Sequence, residues 1–331
     1  AHDIIRTWAF YTIVKTWMHN DQIPWENIVI SGHVLSTENK KISKSQGNNP
    51  LEPENLLSAY PADAIRYWTA SGSLGHDVAF SDNQLKIGQK LIVKLWNAFK
   101  FAGMYLEGHV QEKLDTNKLD PLNQWILHKS ALCFEGYKKY FEQNEFGLAL
   151  DYVEKFFWAD FCDNYLELIK DRFANESNYD QDLVNNTRQT LHDVGLIILQ
   201  LYSPFVPHIT EHLYSKMYQN IFDKKSIHQT RFEAVQTSEK FDDSLVHVEL
   251  VIQLVNQVRK LKSENKLSLK TDLETLKIYS DNKDILEILK SNQQIFSAIT
   301  RSKNIEYISG NLEADSLFSQ NDLWAAHVFV G

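Results

Sequence analysis

From Gln84 to about His228, every long segment repeats its apolar residues at α-helical spacing, and no strand signal in it is stronger than ambiguous. A stretch with that single period predicts a bundle of four or five helices. Helix starts are marked at Asp120-Pro121 and at Pro207, because proline's missing N–H falls where a first helical turn leaves it unbonded anyway. Breaks fall at Gly108, at Asn175-Glu-Ser-Asn178 and at Ser203-Pro204. Breakers are scarce throughout, with Gly 12 and Pro 7 in 331 residues, so long helices are expected and the fold class is mostly α.

The flanks carry a different pattern. Residues Ile4 to Met18 place apolar side chains on nearly every face, which predicts a helix buried on most sides and in need of partners. Asn27-Ile-Val-Ile-Ser31 predicts a short buried strand ended by Gly32, and the aperiodic segment Ser36 to Pro50 predicts a loop beside that strand's end. Pro53 and Pro61 predict starts of short helices. Past Asp242, an amphipathic helix (Leu245, Val248, Val251, Leu254, Val255, Val258, Leu261) precedes a strand at Leu276 to Tyr279, a helix at Ile285 to Leu289, and strands at Ile305 to Ile308 and His327 to Val330. The length allows two or three domains, and the pattern divides them at 1–70, 71–235 and 236–331, the last a small α/β subdomain.

Lys+Arg 34 against Asp+Glu 43 gives −9, which excludes a uniformly basic nucleic-acid binder and confines any RNA contact to a local stripe. The two cysteines, Cys133 and Cys162, sit inside apolar helical patterns, so neither a disulfide framework nor a four-cysteine zinc site is expected. Apolar runs such as Gly195 to Leu199 end far short of the about 20 residues that span a bilayer, and no membrane partner is expected. Helical periodicity begins within four residues of Ala1 without a signal peptide, as in a piece of a longer chain.

The loop carries the chemistry. Lys41-Ile-Ser-Lys-Ser-Gln-Gly-Asn48 places two ammonium groups three residues apart among small hydroxyls, just after a predicted strand, where doubly wound sheets hold their ligands. Such charges stabilise a polyphosphate as negative charge develops in a transition state. A solvated basic loop is the bland alternative for a bare pentamer. This segment, followed by Leu56, Tyr60, Asp63-Ala64 and Arg66-Tyr67-Trp68, resembles the KMSKS signature and downstream helix of the class I aminoacyl-tRNA synthetases, with Ile42 in place of the usual Met.

The resemblance extends through Lys94-Leu-Trp-Asn-Ala98, Phe101, Trp125-Ile-Leu127, Phe161-Cys-Asp-Asn-Tyr-Leu-Glu167 and Ser203-Pro-Phe-Val-Pro-His-Ile-Thr-Glu211, which are similar to the anticodon-binding bundle of the valyl, isoleucyl and leucyl branch. His2-Asp3-Ile4-Ile5-Arg6-Thr7-Trp8 most resembles the valyl members. It implies the C-terminal end of a Rossmann-type catalytic domain, then the bundle, then the small α/β subdomain, in an ATP-dependent ligase that joins valine to tRNA in the cytoplasm. ATP with Mg2+ is implied for the whole enzyme, no tightly bound group for this chain, and no DNA partner. Lys41 and Lys44 would act on the pyrophosphate, with Val34, Ile42, Ser43 and Ser45 completing the ATP site. Asp3 would hold the ammonium of valine and Ile4 its branched side chain. The family's HIGH motif and editing insert are absent, so this chain alone is expected to be inactive in adenylation, and a non-catalytic tRNA-binding module that keeps only the bundle's function is the alternative reading.

Plotted at about 100° per residue, Gln84 to Leu106 has an apolar side (Leu85, Leu91, Ile92, Leu95, Phe99, Ala102, Leu106) and an opposite side gathering Lys86, Lys90, Lys94, Asn97, Lys100 and Phe101. An aromatic ring in a lysine stripe suits base stacking beside phosphate contacts. On the residues alone, a solvated face with Phe101 turned to the core is the simpler reading. The family comparison reverses it, since positions matching Lys94, Lys100 and Phe101 meet the anticodon there, and Asn97 offers a donor and an acceptor beside them. Another cluster, Arg259, Lys260, Lys262, Lys266 and Lys270, suits either tRNA backbone or plain solvation. His208-Ile-Thr-Glu211-His212 matches the H-x-x-E-H zinc-hydrolase pattern. A helix start whose His and Glu serve capping and packing is favoured over it, and no metal ligand is expected. Trp96, Trp125 and Trp158 are expected in the bundle core.

Overall fold

The computed structural model describes residues 1–36, 40, 42, 53–109, 114–219, 224–231, 241–310 and 318–330. In chain order, a 3-10 turn His2–Arg6 leads into α1 (Trp8–Asn20), β1 (Val34–Leu35), α2 (Pro53–Ala59), α3 (Ala62–Ala70), β2 (Val78–Ala79), α4 (Asp82–Leu106), α5 (Pro121–Glu142) and α6 (Phe146–Lys155). A π-helical stretch, Phe156–Tyr165, precedes α7 (Leu166–Ala174), α8 (Gln181–Tyr202) and α9 (Pro207–Met217). The remainder is α10 (Asp242–Glu264), β3 (Leu273–Ser280), α11 (Lys283–Ser291), α12 (Gln293–Thr300), β4 (Ser302–Ser309), β5 (Phe318–Gln320) and β6 (Ala325–Phe329). The mostly α class and the helix starts at Pro121 and Pro207 match the sequence reading. Two compact units emerge, 1–103 with 133–154 and 196–232, and 104–132 with 155–195 and 233–331.

In the first unit, α1 departs from expectation. Ala9 is its one buried residue, while Trp8, Tyr11 and Trp17 are exposed and Met18 is 77% exposed. Apolar residues on all faces state a need for partners, and the described residues meet little of it, Trp8 stacking on Trp25 with 5.3 Å between ring centroids. The expected strand at Asn27 to Ser31 is also absent among the described residues. Val29 is 50% exposed, and the ladder instead joins Val34–Leu35 in parallel to Val78–Ala79. Gly32 matters for a different reason than ending a strand: a Cβ there would lie 1.9 Å from the carbonyl oxygen of His76. That close passage lets His33 N–H donate to Asp77 Oδ1 at 2.7 Å. Around α4 the burial is as expected, with Leu85, Leu91, Leu95, Phe99 and Ala102 buried, although Ile92 and Leu106 are only half-buried. A break not read from the sequence separates α5 from α6, where Asn144 takes the left-handed conformation (φ 61°) that Asn tolerates better than most residues.

The second unit is organised by a buried polar network. Arg172 on α7 donates to Asp120 Oδ2 at 2.5 Å and Oδ1 at 3.2 Å, and to Thr187 Oγ1 at 3.0 Å. Asn123 donates to Asp120 Oδ1 at 2.6 Å and accepts from the Tyr165 hydroxyl at 2.8 Å. The network thereby ties the starts of α5 and α8 to α7 and the π-helical stretch. Burial opposes the charge of Arg172, but Asp120 beside it overcomes this and raises its pKa. Nearby, Lys129 lies 3.1 Å from both Asp160 and Glu249, so α10 is fastened to the bundle helices of this unit. Burial raises the Asp160 carboxyl, and Lys129 partly offsets that.

The terminal subdomain is a four-stranded sheet among the described residues, in the order β4-β3-β6-β5. β3 pairs β4 in parallel, with α11 and α12 making the crossover, and pairs β6 antiparallel in the register Leu276↔Val328 and Ile278↔Ala326. The core lies between this face and α10, whose Val251, Leu254, Val255 and Val258 are buried. α12 and β5 were not legible in the sequence.

Candidate functional site

α4 presents the stripe that the helical plot predicts. Lys86, Lys90, Asn97 and Lys100 are exposed, and Lys94 and Phe101 are half-buried. Lys86 is engaged at the helix start, 2.6 Å from Asp82, which also accepts the Tyr60 hydroxyl. The Lys86 bond and then the Tyr60 bond hold the Asp82 carboxyl below its usual range. Beyond that pair the stripe continues through the exposed Lys90, Asn97 and Lys100. Trp96 lies outside the core, at 44% exposure against the His212 ring with 5.6 Å between centroids, a correction to the expectation of burial; Trp125 is buried and Trp158 half-buried.

Of the signature segment, Ile42 is described and half-buried, and Ser36 N–H donates to Lys40 O at 2.8 Å. Lys41, Ser43, Lys44 and Ser45 lie outside the described residues. Val34 is exposed on β1. Asp3 and Ile4 sit in the 3-10 turn before α1, Asp3 exposed and Ile4 half-buried.

Asp63 and Arg66 of the signature helix have a specific structural task. The Asp63 carboxylate, 3% exposed, accepts the backbone N–H of His208 at 3.2 Å and of Ile209 at 2.8 Å. His208 Nδ1 also lies 2.7 Å away, and since a carboxylate only accepts, that nitrogen carries the hydrogen. α9 lacks a cap of its own, because Val206 makes no side-chain cap bond. Asp63 therefore terminates it from α3 and meets the positive end of its dipole. Arg66 grips the preceding turn, donating to Pro204 O at 2.7 Å and Phe205 O at 3.2 Å. The helix after the signature loop is so locked to the turn Ser203 to Ile209.

These contacts also remove the basis of the zinc reading. His208 is committed to Asp63, and Glu211 accepts from Ser226 Oγ and Ile227 N–H at 2.9 and 3.0 Å. Among the described residues no group of three or more His, Cys, Asp or Glu could hold a metal ion. The basic cluster needs correction as well. Lys262 is 2% exposed and donates to Thr271 O at 2.7 Å, Thr300 O at 2.9 Å and Leu269 O at 3.4 Å. Burial and then nearby Arg301 lower its pKa, against the pull of Asp272. It follows Val258 by four residues and Leu261 by one, so the helical period itself put it on the inward stripe.

Two families match this chain: "tRNA synthetases class I (I, L, M and V)" over residues 1–81 and "Anticodon-binding domain of tRNA ligase" over residues 123–278. The chain belongs to the class I aminoacyl-tRNA synthetases. Among its relatives in this family, the valine–tRNA ligase of Wolbachia pipientis wMel is 39% identical over 95% of this chain and 35% of that protein. That of Ehrlichia ruminantium (strain Welgevonden) is 42% identical over 86% of this chain and 34% of its own length. The chain thus spans about a third of the length of these synthetases, in their C-terminal portion. A crystal structure of LeuRS from Agrobacterium radiobacter K84, in a ternary complex with tRNA and LeuAMS, shares the fold at TM-score 0.53 and 13% identity, over 92% of this chain and 36% of that one. Set against the class I family, the signature helix α3 and the turn it grips, Ser203 to Ile209, both lie in segments that carry the sequence resemblance.

Proposed function

We propose that this chain is the part of a cytoplasmic valine–tRNA ligase that carries the signature loop and reads the tRNA. The observation that carries the proposal is α4, a 25-residue helix with one buried apolar side and an opposite side bearing Lys90, Lys94, Asn97, Lys100 and Phe101. The identity of 39–42% with valine–tRNA ligases supports valine as the amino acid. The stripe would meet the anticodon, with Phe101 against an unpaired base and the lysines on phosphates.

In the whole enzyme, valine and ATP would give valyl-adenylate and pyrophosphate, and the valyl group would then pass to a terminal hydroxyl of the tRNA with release of AMP. Lys41 and Lys44 would neutralise charge developing on the pyrophosphate leaving group, with the hydroxyls of Ser43 and Ser45 and the anchor Ile42 completing the loop. Two ammonium groups among hydroxyls fit a polyphosphate, and Mg2+ would arrive on the ATP phosphates. The backbone at Val34 would face adenine. Asp3 would pair with the valine ammonium, and Ile4 would contact its side chain. Residues 1–70 would complete the catalytic domain, 71–235 form the anticodon-binding domain and 236–331 the terminal subdomain. On that assignment, Asp63 and Arg66 would join the signature region to the tRNA-reading helices. The exposed apolar surface of α1 suits an element normally covered inside a larger α/β domain.

The test is filter binding of this chain to a panel of purified tRNAs. Preference for valine tRNA, weakening with added salt, is expected. Equal binding to every tRNA in the panel, or none, would overturn the proposal.

A further inference from the structure

A cavity of about 240 Å³ opens among α7, α10, α12 and the turn that follows α10. Its floor is apolar, with Val255 and Val258 buried and Ile299 half-buried, while Leu269 stands exposed at its side. Arg259 and Lys270 line it as cations, one half-buried and one exposed, and neither forms an ion pair among the described residues. Glu167, the acid in the lining, is met by Lys170 at 2.5 Å. In a chain of net charge −9 this mouth is therefore locally positive.

The turn is built rather than incidental. Lys262, from beneath, binds the carbonyls of Leu269 and Thr271, the residues on either side of Lys270. The backbone carrying Lys270 is thus fixed before any ligand arrives, which lowers the ordering cost of binding. α10 ends in the bonding pattern that reverses a chain sharply: Leu267 N–H donates to Lys262 O at 2.8 Å and Lys266 N–H to Ser263 O at 3.0 Å, with Lys266 at φ 57°. The cavity is smaller than the about 300–1,000 Å³ of drug-sized sites and has the scale of one planar ring.

We propose that this cavity receives one nucleotide of the tRNA, its phosphate between Arg259 and Lys270 and its base or ribose against the apolar floor. The inference rests on tRNA being the partner. It adds an RNA contact on the terminal subdomain, on elements other than α4. Arginine and lysine flanking an apolar floor match a phosphate joined to a ring, and an uncharged or cationic partner would leave both cations unanswered.

The experiment measures tRNA affinity of the full chain across salt concentrations for the wild type, the double variant Arg259→Gln with Lys270→Gln, and Lys290→Gln, an exposed cation on α11, as control. Each lost phosphate contact should flatten the slope of log affinity on log salt by about 0.7–0.9. With one phosphate held between the two cations, the wild-type advantage over the double variant should shrink about threefold between 50 and 200 mM salt. The loss should be the same for valine and other tRNAs, with unchanged melting, while Lys290→Gln keeps the wild-type slope. A double variant with the wild-type slope would overturn the site and leave tRNA recognition standing, as would protection of the cavity by an acidic peptide but not by tRNA. A wild-type chain that binds no tRNA would overturn both.

Discussion

Replacing Asp63 by alanine should damage α9 from a residue 145 positions away in sequence. The carboxylate, itself buried, accepts two backbone N–H groups at the start of a helix that has no cap of its own. Each buried donor left unpaired costs about 1–3 kcal/mol, and loss of a helix cap costs about 0.5–2 kcal/mol. The two figures describe the same N–H groups in part, so the combined penalty is about 2–4 kcal/mol. Asp63→Asn keeps one accepting oxygen and should lose about half as much. His208→Ala should cost less than about 1 kcal/mol, because the ring is 72% exposed on its side chain and its backbone bond to Asp63 survives. Urea unfolding of the full chain gives the ranking, and amide hydrogen exchange locates it, with faster exchange expected at the first turn of α9. If Asp63→Ala lies within about 0.5 kcal/mol of wild type, or is no worse than His208→Ala, α9 does not depend on a cap lent by α3.

Three further outcomes are expected. Arg172→Met should destabilise by about 3–5 kcal/mol by stranding the Asp120 carboxylate in a buried network, and adding Asp120→Leu should restore much of the loss in the same denaturation assay. Lys266→Gly should raise thermal stability by about 0.5–1 kcal/mol, since a lysine at φ 57° bears a steric cost that glycine avoids; an unchanged or lower melting temperature would contradict this. Burial raises the Glu154 carboxyl above its ordinary 4.5, so the folded state prefers it protonated and its contribution to stability falls as pH rises through the folded-state pKa. Glu154→Gln, which still accepts from the Tyr67 hydroxyl, should therefore gain on wild type as pH rises from about 4.5 toward neutrality; a gap that stays constant with pH would exclude that titration.

The two faces of α4 were legible because a helix of 25 residues samples its period about seven times, and each buried position reinforces the next. The strand misplaced at Asn27 to Ser31 shows the limit of local pattern: an apolar run states a preference for burial, while a ladder requires a neighbour at the right register. α12 and β5, of 8 and 3 residues, are too short for periodicity to separate from turns. The π-helical stretch kept an apolar pattern compatible with α-helix, so nothing in Phe156 to Tyr165 announced the change in hydrogen bonding. Asp63 and Arg66 belonged to a recognisable motif, yet their partners lie at 204–209 and depend on tertiary approach. Lys262 was hidden by a different habit, since a run of cations invites a reading as surface even where the period turns one member inward. For the lysine stripe, residue types defined a candidate interface, and the choice between solvent and RNA came from family resemblance.

Whether the α4 stripe reads the anticodon is tested with two valine tRNA transcripts that differ only in their anticodon bases. Wild-type chain should bind the natural transcript more tightly. Phe101→Ala should remove stacking worth about 1–3 kcal/mol and narrow the difference between the two transcripts, with the melting temperature of the chain unchanged. A Phe101→Ala chain that melts earlier yet discriminates between the two transcripts as well as wild type would place the ring in the core and the reading of the anticodon elsewhere.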